Sequence, residues 1–139
     1  MKFTRKANAN WKGSGKEGKG TLTTQSTTLN ETQYSYKSRY ENGIGTNPEE
    51  LIGAALSGCF TMKLSFLLGE AGFTPTNLDT VAKVTYEGDG IAYITLELNG
   101  QVEGISEQKF QEVALNAKET CPVSKIIKAP LTLTANLVT

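Results

Sequence analysis

Cysteine supplies the obvious nucleophilic and redox chemistry in this sequence, and it occurs twice, at Cys59 and Cys121, in a chain with no histidine. The lack of histidine removes the commonest metal ligand and proton shuttle. Neither a Ser-His-Asp nor a Cys-His mechanism can be built within the chain. Two cysteines with no third ligand nearby do not make a zinc site. What remains for the thiols is packing as small apolar residues or redox chemistry.

A reactive thiol must be helped to ionise, and that need selects its partners. Cys59 lies in the stretch Gly45–Glu70, GTNPEELIGAALSGCFTMKLSFLLGE, about 12 residues into the expected helix and so roughly 18 Å from its N-terminus. The helix dipole acts within the first turn and cannot reach it. Burial would raise its pKa, so a reactive Cys59 requires a cation, which here must be Arg or Lys. Arg39 is the candidate: it lies on an expected strand just before the helix and must either meet solvent or find an anion. Glu49 precedes Cys59 by ten residues, about 15 Å along the axis and roughly 80° short of the same face. It cannot touch the sulfur, but it could hold an arginine by a bidentate pair. As a plain first-turn acid answering the helix dipole, Glu49 has a simpler account. Cys121 ends a helical stripe and is followed by Pro122, where the backbone stops being regular and a thiol has room to move.

The elements that must carry these residues read as follows. Asn47 can cap the long helix, Pro48 suits its first position and Glu50 falls where a capping box wants an acid. Residues 48–68 are apolar almost all round, which predicts a helix buried on every side. Before it, 3–12 read as a strand with Phe3, Ala7 and Trp11 inward. Gly13–Gly20 reads as a hairpin connection, because the Gly-Lys-Ser/Thr ending of a phosphate loop is missing. Thr21–Ser26 and Gln33–Tyr40 alternate as half-buried strands. After Gly72 and Pro75, Ala82, Val84 and Tyr86 alternate with polar residues; Gly88-Asp89-Gly90 turns the chain, and Ile94, Leu96 and Leu98 complete a hairpin. Ser106 caps a second helix with the stripe Phe110, Val113, Ala114, Ala117 and Cys121, and Leu131, Leu133, Ala135 and Leu137 form a last strand. Strands and helices are partly segregated, which indicates one α+β domain over 1–139 with antiparallel sheets around a long central helix. One small sheet covers one side of that helix, so a second subunit is expected to cover the other.

Composition narrows the partners. Lys plus Arg number 14 and Asp plus Glu number 14, so no net field recruits nucleic acid or an anionic membrane. The first residues, MKFTRKANANWK, contain no apolar run of signal-peptide length. The long helix approaches the length of a membrane span but carries Glu49, Glu50 and Lys63. A soluble, cytoplasmic protein is the expectation.

GTNPEELIGAALSGCF with LGEAGFTP and, near the C-terminus, CPVSK resembles the OsmC/Ohr family of organic hydroperoxide reductases, in its OsmC branch. The resemblance extends over most of the chain, through the YSYKSRYENGIGTNPEEL entry to the helix and the final strand. It implies an OsmC-like α+β fold in an intertwined homodimer, and a thiol-dependent peroxidase that reduces organic hydroperoxides, and hydrogen peroxide less well, in stress defence. By position, it implies that Cys59 is the peroxidatic cysteine, Cys121 the resolving one, Arg39 the active-site arginine and Glu49 the glutamate that orients it. Some relatives carry a histidine shortly before the first cysteine; here that position is Leu56. No bound cofactor is implied; the reductant is an external dithiol, of lipoyl type in the family. A pocket of residues such as Leu56, Phe60, Phe66 or Ile126 would suit alkyl peroxides. The residues themselves leave two other readings open: a redox sensor using the same cysteine pair without turnover, and a hydrophobic ligand-binding module with inert cysteines.

Overall fold

Period-two alternation closes two three-stranded sheets, and the computed structural model, which describes Met1–Thr139, distributes them over two units, Met1–Leu51 and Ile52–Thr139. The first unit holds β1 (Ala7–Lys12), β2 (Lys19–Thr24), β3 (Thr32–Tyr34) and α1 (Tyr36–Tyr40), and ends as α2 (Pro48–Glu70) begins. The second holds the rest of α2, then β4 (Pro75–Glu87), β5 (Gly90–Val102), α3 (Glu107–Thr120), α4 (Pro122–Ile126) and β6 (Leu131–Leu137).

In the first unit β1–β2 is the hairpin that the glycine-rich segment predicts, antiparallel from Ala7↔Thr24 to Lys12↔Lys19, with β3 antiparallel on the other edge of β2. Gly20 is required there: a Cβ would lie 2.5 Å from both the Trp11 and Tyr34 rings, which pack 5.3 Å apart across it. The expected strand at 3–12 starts only at Ala7, and Phe3 is exposed. The partner strand β2 stops at Thr24, so residues before Lys6 have nothing to pair with.

The expected strand at Gln33–Tyr40 is corrected more sharply, because it ends at Tyr34 and becomes helix α1. Ser35 and Ser38 make a reciprocal capping box: the Ser38 amide donates to Ser35 Oγ at 3.1 Å and the Ser35 amide to Ser38 Oγ at 2.8 Å. Tyr36 and Tyr40 then sit one turn apart with ring centroids 4.9 Å apart, a contact that period two would forbid. Arg39 is therefore on a helix, not a strand.

The second unit is organised by one apolar sheet face. Thr80↔Leu98, Ala82↔Leu96 and Val84↔Ile94 pair across β4–β5, and Leu96↔Leu133 and Leu98↔Ala135 across β5–β6. The core joins this face to Leu56, Phe60, Leu64 and Leu68 of α2 and to Phe110, Val113, Ala114 and Ala117 of α3. The opposite face is polar, with Lys83 Nζ 2.9 Å from Glu97 Oε1. The expectation of purely antiparallel sheets fails at β6, which runs parallel to β5. Two helices intervene between these strands, and a crossover of that kind returns the chain in the same direction. The helix buried on every side is also corrected. Only the Leu56–Phe60–Leu64–Leu68 face of α2 is closed, whereas Met62 and Phe66 are 64% and 65% exposed.

Candidate active site

The four residues singled out from the sequence fall into two pairs of side chains, one in each unit. In the second unit α2 presents Cys59 in mid-helix and lies against β4: a Cβ built at Gly53 would make ordinary contacts with Ala82 O at 3.5 Å and Val84 Cγ2 at 3.6 Å. Thr61 reinforces the contact by donating its hydroxyl to Thr80 Oγ1 at 2.7 Å. Cys121 arrives from the other direction, at the joint where α3 stops and Pro122 starts α4. The joint is held by the Cys121 amide donating to Ala117 O at 2.9 Å and the Lys125 amide donating to Cys121 O at 3.1 Å.

The two thiols meet although 62 residues separate them, with Cys121 Sγ donating to Cys59 Sγ at 2.6 Å. Both cysteines are free. Their exposures differ: Cys121 is fully buried, whereas Cys59 is half-buried and open to reagents.

Their electrostatics differ too. Burial pushes the Cys59 thiol up, and its hydrogen bond with Cys121 adds to this; the Val123 amide and Lys63, one turn on, pull the other way without reversing it. Burial would also raise Cys121, but it is outweighed by the Cys59 S–H, the Ser124 amide and hydroxyl and the Val123 amide, which leave Cys121 below the ordinary thiol range. The Ser124 hydroxyl oxygen is buried and makes no hydrogen bond of good geometry, so it stands near Cys121 without being bonded to it.

An apolar cavity of about 510 Å³ is lined among others by Ile52, Ala55, Ile94, Val123 and Ile126, and by neither cysteine itself. Ile52 and Ala55 lie seven and four residues before Cys59 and so share its helix face, while Val123 faces both cavity and thiol. Of the four pocket residues expected from sequence, Ile126 alone lines this cavity. Leu56 and Phe60 belong to the closed core face, and Phe66 is exposed two turns beyond Cys59.

The second pair belongs to the first unit. Arg39 Nε donates to Glu49 Oε1 at 2.8 Å, with Glu49 the more buried partner. Local capping positions both residues. Asn47 Oδ1 accepts from the Glu50 amide at 2.8 Å, while the Glu50 carboxylate takes the Thr46 hydroxyl at 2.7 Å instead of closing a box onto Asn47. This leaves Glu49, on the neighbouring position of the first turn, for the guanidinium. Glu49 Oε2 is buried with no hydrogen-bond partner in this chain. The structure thus joins Cys59 to Cys121 and Arg39 to Glu49. Sequence reasoning passed over Ser124 and Val123, although their place just after Cys121-Pro122 marks them as its nearest donors.

Comparison with known proteins was made against this geometry. A family model described as OsmC-like protein matches residues 41–136. The chain is 47% identical over 137 residues to the peroxiredoxin OsmC of Escherichia coli (strain K12), an alignment covering 96% of each chain. Among solved structures, it is similar to the organic hydroperoxide resistance protein OhrB of Bacillus subtilis, at a TM-score of 0.71 and 24% identity over 98% of each chain. It is also similar to an OsmC-like protein of Mycoplasma pneumoniae, at a TM-score of 0.77 and 13% identity over the whole of both.

Proposed function

This chain belongs to the OsmC family and is a peroxidase, and from that premise we propose that it reduces organic hydroperoxides, and hydrogen peroxide less well, by alternating Cys59 and Cys121 between dithiol and disulfide. One observation carries the reading: two free thiols 2.6 Å apart, one fully buried and one accessible.

Access selects Cys59 as the group a peroxide meets. Its thiolate attacks the terminal peroxide oxygen; the O–O bond breaks, and the alkoxide takes a proton and leaves as alcohol. Cys59 becomes a sulfenic acid, and Cys121 displaces water from it to form the disulfide. An external dithiol, of lipoyl type on the family's pattern, then restores both thiols. The apolar cavity beside Cys59 suits an alkyl tail and offers nothing comparable to hydrogen peroxide.

We assign Arg39 the role of the cation that a Cys59 thiolate needs, since within its own unit the Val123 amide and Lys63, the one cation acting there, do not reverse the rise in its pKa. Glu49 orients that guanidinium through the pair already formed. A homodimer would cover the apolar face of α2 left open at Met62 and Phe66. The protein is soluble: α2 is long and apolar enough to cross a membrane, but Leu56, Phe60, Leu64 and Leu68 close into the core. A cytoplasmic location accords with two free thiols.

Steady-state consumption of cumene hydroperoxide with dihydrolipoamide tests the reading. Cys59→Ser should abolish turnover, and Cys121→Ser should permit one oxidation and then stall. Retained turnover in Cys59→Ser would overturn it, and faster support by glutathione or thioredoxin would overturn the choice of reductant.

A further inference from the structure

We propose that the Cys59–Cys121 disulfide is opened in one direction only, the reducing dithiol attacking Cys59 while Cys121 departs as the thiolate, with Ser124 the positioning residue that receives the departing charge. The disulfide as an intermediate rests on the peroxidase reading; the direction of its opening rests on the surroundings of the two sulfurs.

Access sets the first half. Thiol–disulfide exchange needs an approach to the attacked sulfur on the side away from its leaving partner. Cys121 is fully buried, whereas Cys59 is reachable and lies on the helix face that borders the apolar cavity through Ile52 and Ala55. The hydrocarbon arm of a dithiol can occupy the same space as a peroxide tail.

The leaving group sets the second half. The sulfur better stabilised as an anion leaves faster. Around Cys121 stand the Val123 amide, the Ser124 amide and the Ser124 hydroxyl, whose oxygen is buried with no hydrogen-bond partner and so has a donor to turn toward a departing anion. The hydrogen shared by the two sulfurs also reverses its sense once Cys121 is ionised and Cys59 protonated, so that Cys59 donates. Among the groups of the second unit, which surround the disulfide itself, the balance favours the Cys121 anion over the Cys59 anion.

In the first step the dithiol's thiolate forms a bond to Cys59 Sγ, the Cys59–Cys121 bond breaks, and its electron pair stays on Cys121. In the second, the other thiol of the same molecule, deprotonated, attacks the sulfur now joined to Cys59. Cys59 leaves as thiolate and the reductant departs as a cyclic disulfide. Two electrons pass from dithiol to protein, and the two protons released by the dithiol balance the two cysteine thiolates.

The test uses the full chain oxidised by diamide, which forms the disulfide without any peroxide chemistry and so separates this inference from the peroxidase reading. The oxidised protein is exposed briefly to 2-mercaptoethanol, which cannot complete the second step. Acid quenching, alkylation and peptide mass mapping follow. The expected product carries 2-mercaptoethanol on Cys59 and the alkyl group on Cys121. The reverse placement, or an even split, overturns the proposal. Ser124→Ala should slow dihydrolipoamide reduction of the disulfide about tenfold and leave the rate of Cys59 oxidation by hydroperoxide unchanged; Ser124→Thr should restore it. In a Cys59→Ser background, the ultraviolet absorbance of the Cys121 thiolate should titrate at higher pH once Ser124→Ala is added. An unmoved titration overturns the role of Ser124, and a loss of both rates in Ser124→Ala that threonine does not restore assigns Ser124 to structure alone.

Discussion

Cys59 is a poor thiolate in its own surroundings, since burial and Cys121 raise its pKa and the Val123 amide and Lys63 only partly offset them. The role assigned to Arg39 therefore has a titration signature. The rate of Cys59 alkylation rises with pH as the thiol deprotonates, and a cation that stabilises the thiolate moves the midpoint down. In Arg39→Met the midpoint should climb above the ordinary thiol value, by about one to three pH units relative to the unsubstituted protein. Iodoacetamide labelling in a Cys121→Ser background measures it, and equal midpoints would remove Arg39 from the thiolate's environment. The same variant should lose about 10²–10³ in kcat/KM for cumene hydroperoxide. Glu49→Gln keeps the shape and gives up the charged half of the 2.8 Å pair. Its loss should be smaller than that of Arg39→Met, because the guanidinium remains but is less firmly held.

The short elements decide whether these residues stand where chemistry needs them. Helix α1 has five residues and owes its start to the Ser35–Ser38 box. Ser35→Ala should cost about 1 kcal/mol in urea melts, with a fall in peroxidase activity as Arg39 loses its platform. Activity unchanged at equal loss of stability would show that α1 does not position the arginine. Deeper in the second unit, Gly100 gives the Phe110 ring its seat, since a Cβ there would come within 2.7 Å of Cε1 and Cζ. Gly100→Ala should destabilise by about 1–3 kcal/mol through overpacking. The elements also explain what was legible in the sequence and what was not. α2 could be read from its Asn47-Pro48 start and its long apolar run, and the β4–β5 hairpin, α3 and β6 because periodic runs leave a single face to bury. The segment at Tyr36–Tyr40 was misread as strand because its Tyr/Ser alternation mimics period two, while the Ser35–Ser38 box that overrides it spans only four residues.

At the scale of the whole molecule the open face of α2 is the outstanding feature. Met62 and Phe66 lie in the water on a helix whose opposite face forms the core, an arrangement that favours association. Met62→Glu with Phe66→Glu should convert the proposed homodimer to monomer in sedimentation equilibrium; a monomeric unsubstituted protein would refute the dimer outright. The sequence by itself determined which chemistry was available, since two cysteines without histidine leave the thiols either inert packing or redox work. It also determined that a mid-helix thiol needs a cation from outside its helix, because the dipole fades within a turn. Only the tertiary structure decided that Cys59 and Cys121 touch, and that Arg39 is held by Glu49. Within the second unit it also sets the two thiols apart, burial raising Cys59 and the donors around Cys121 lowering it. The physical reason is that spacing along a chain sets local direction, whereas contacts across 62 residues depend on how α2, α3 and the sheet pack together.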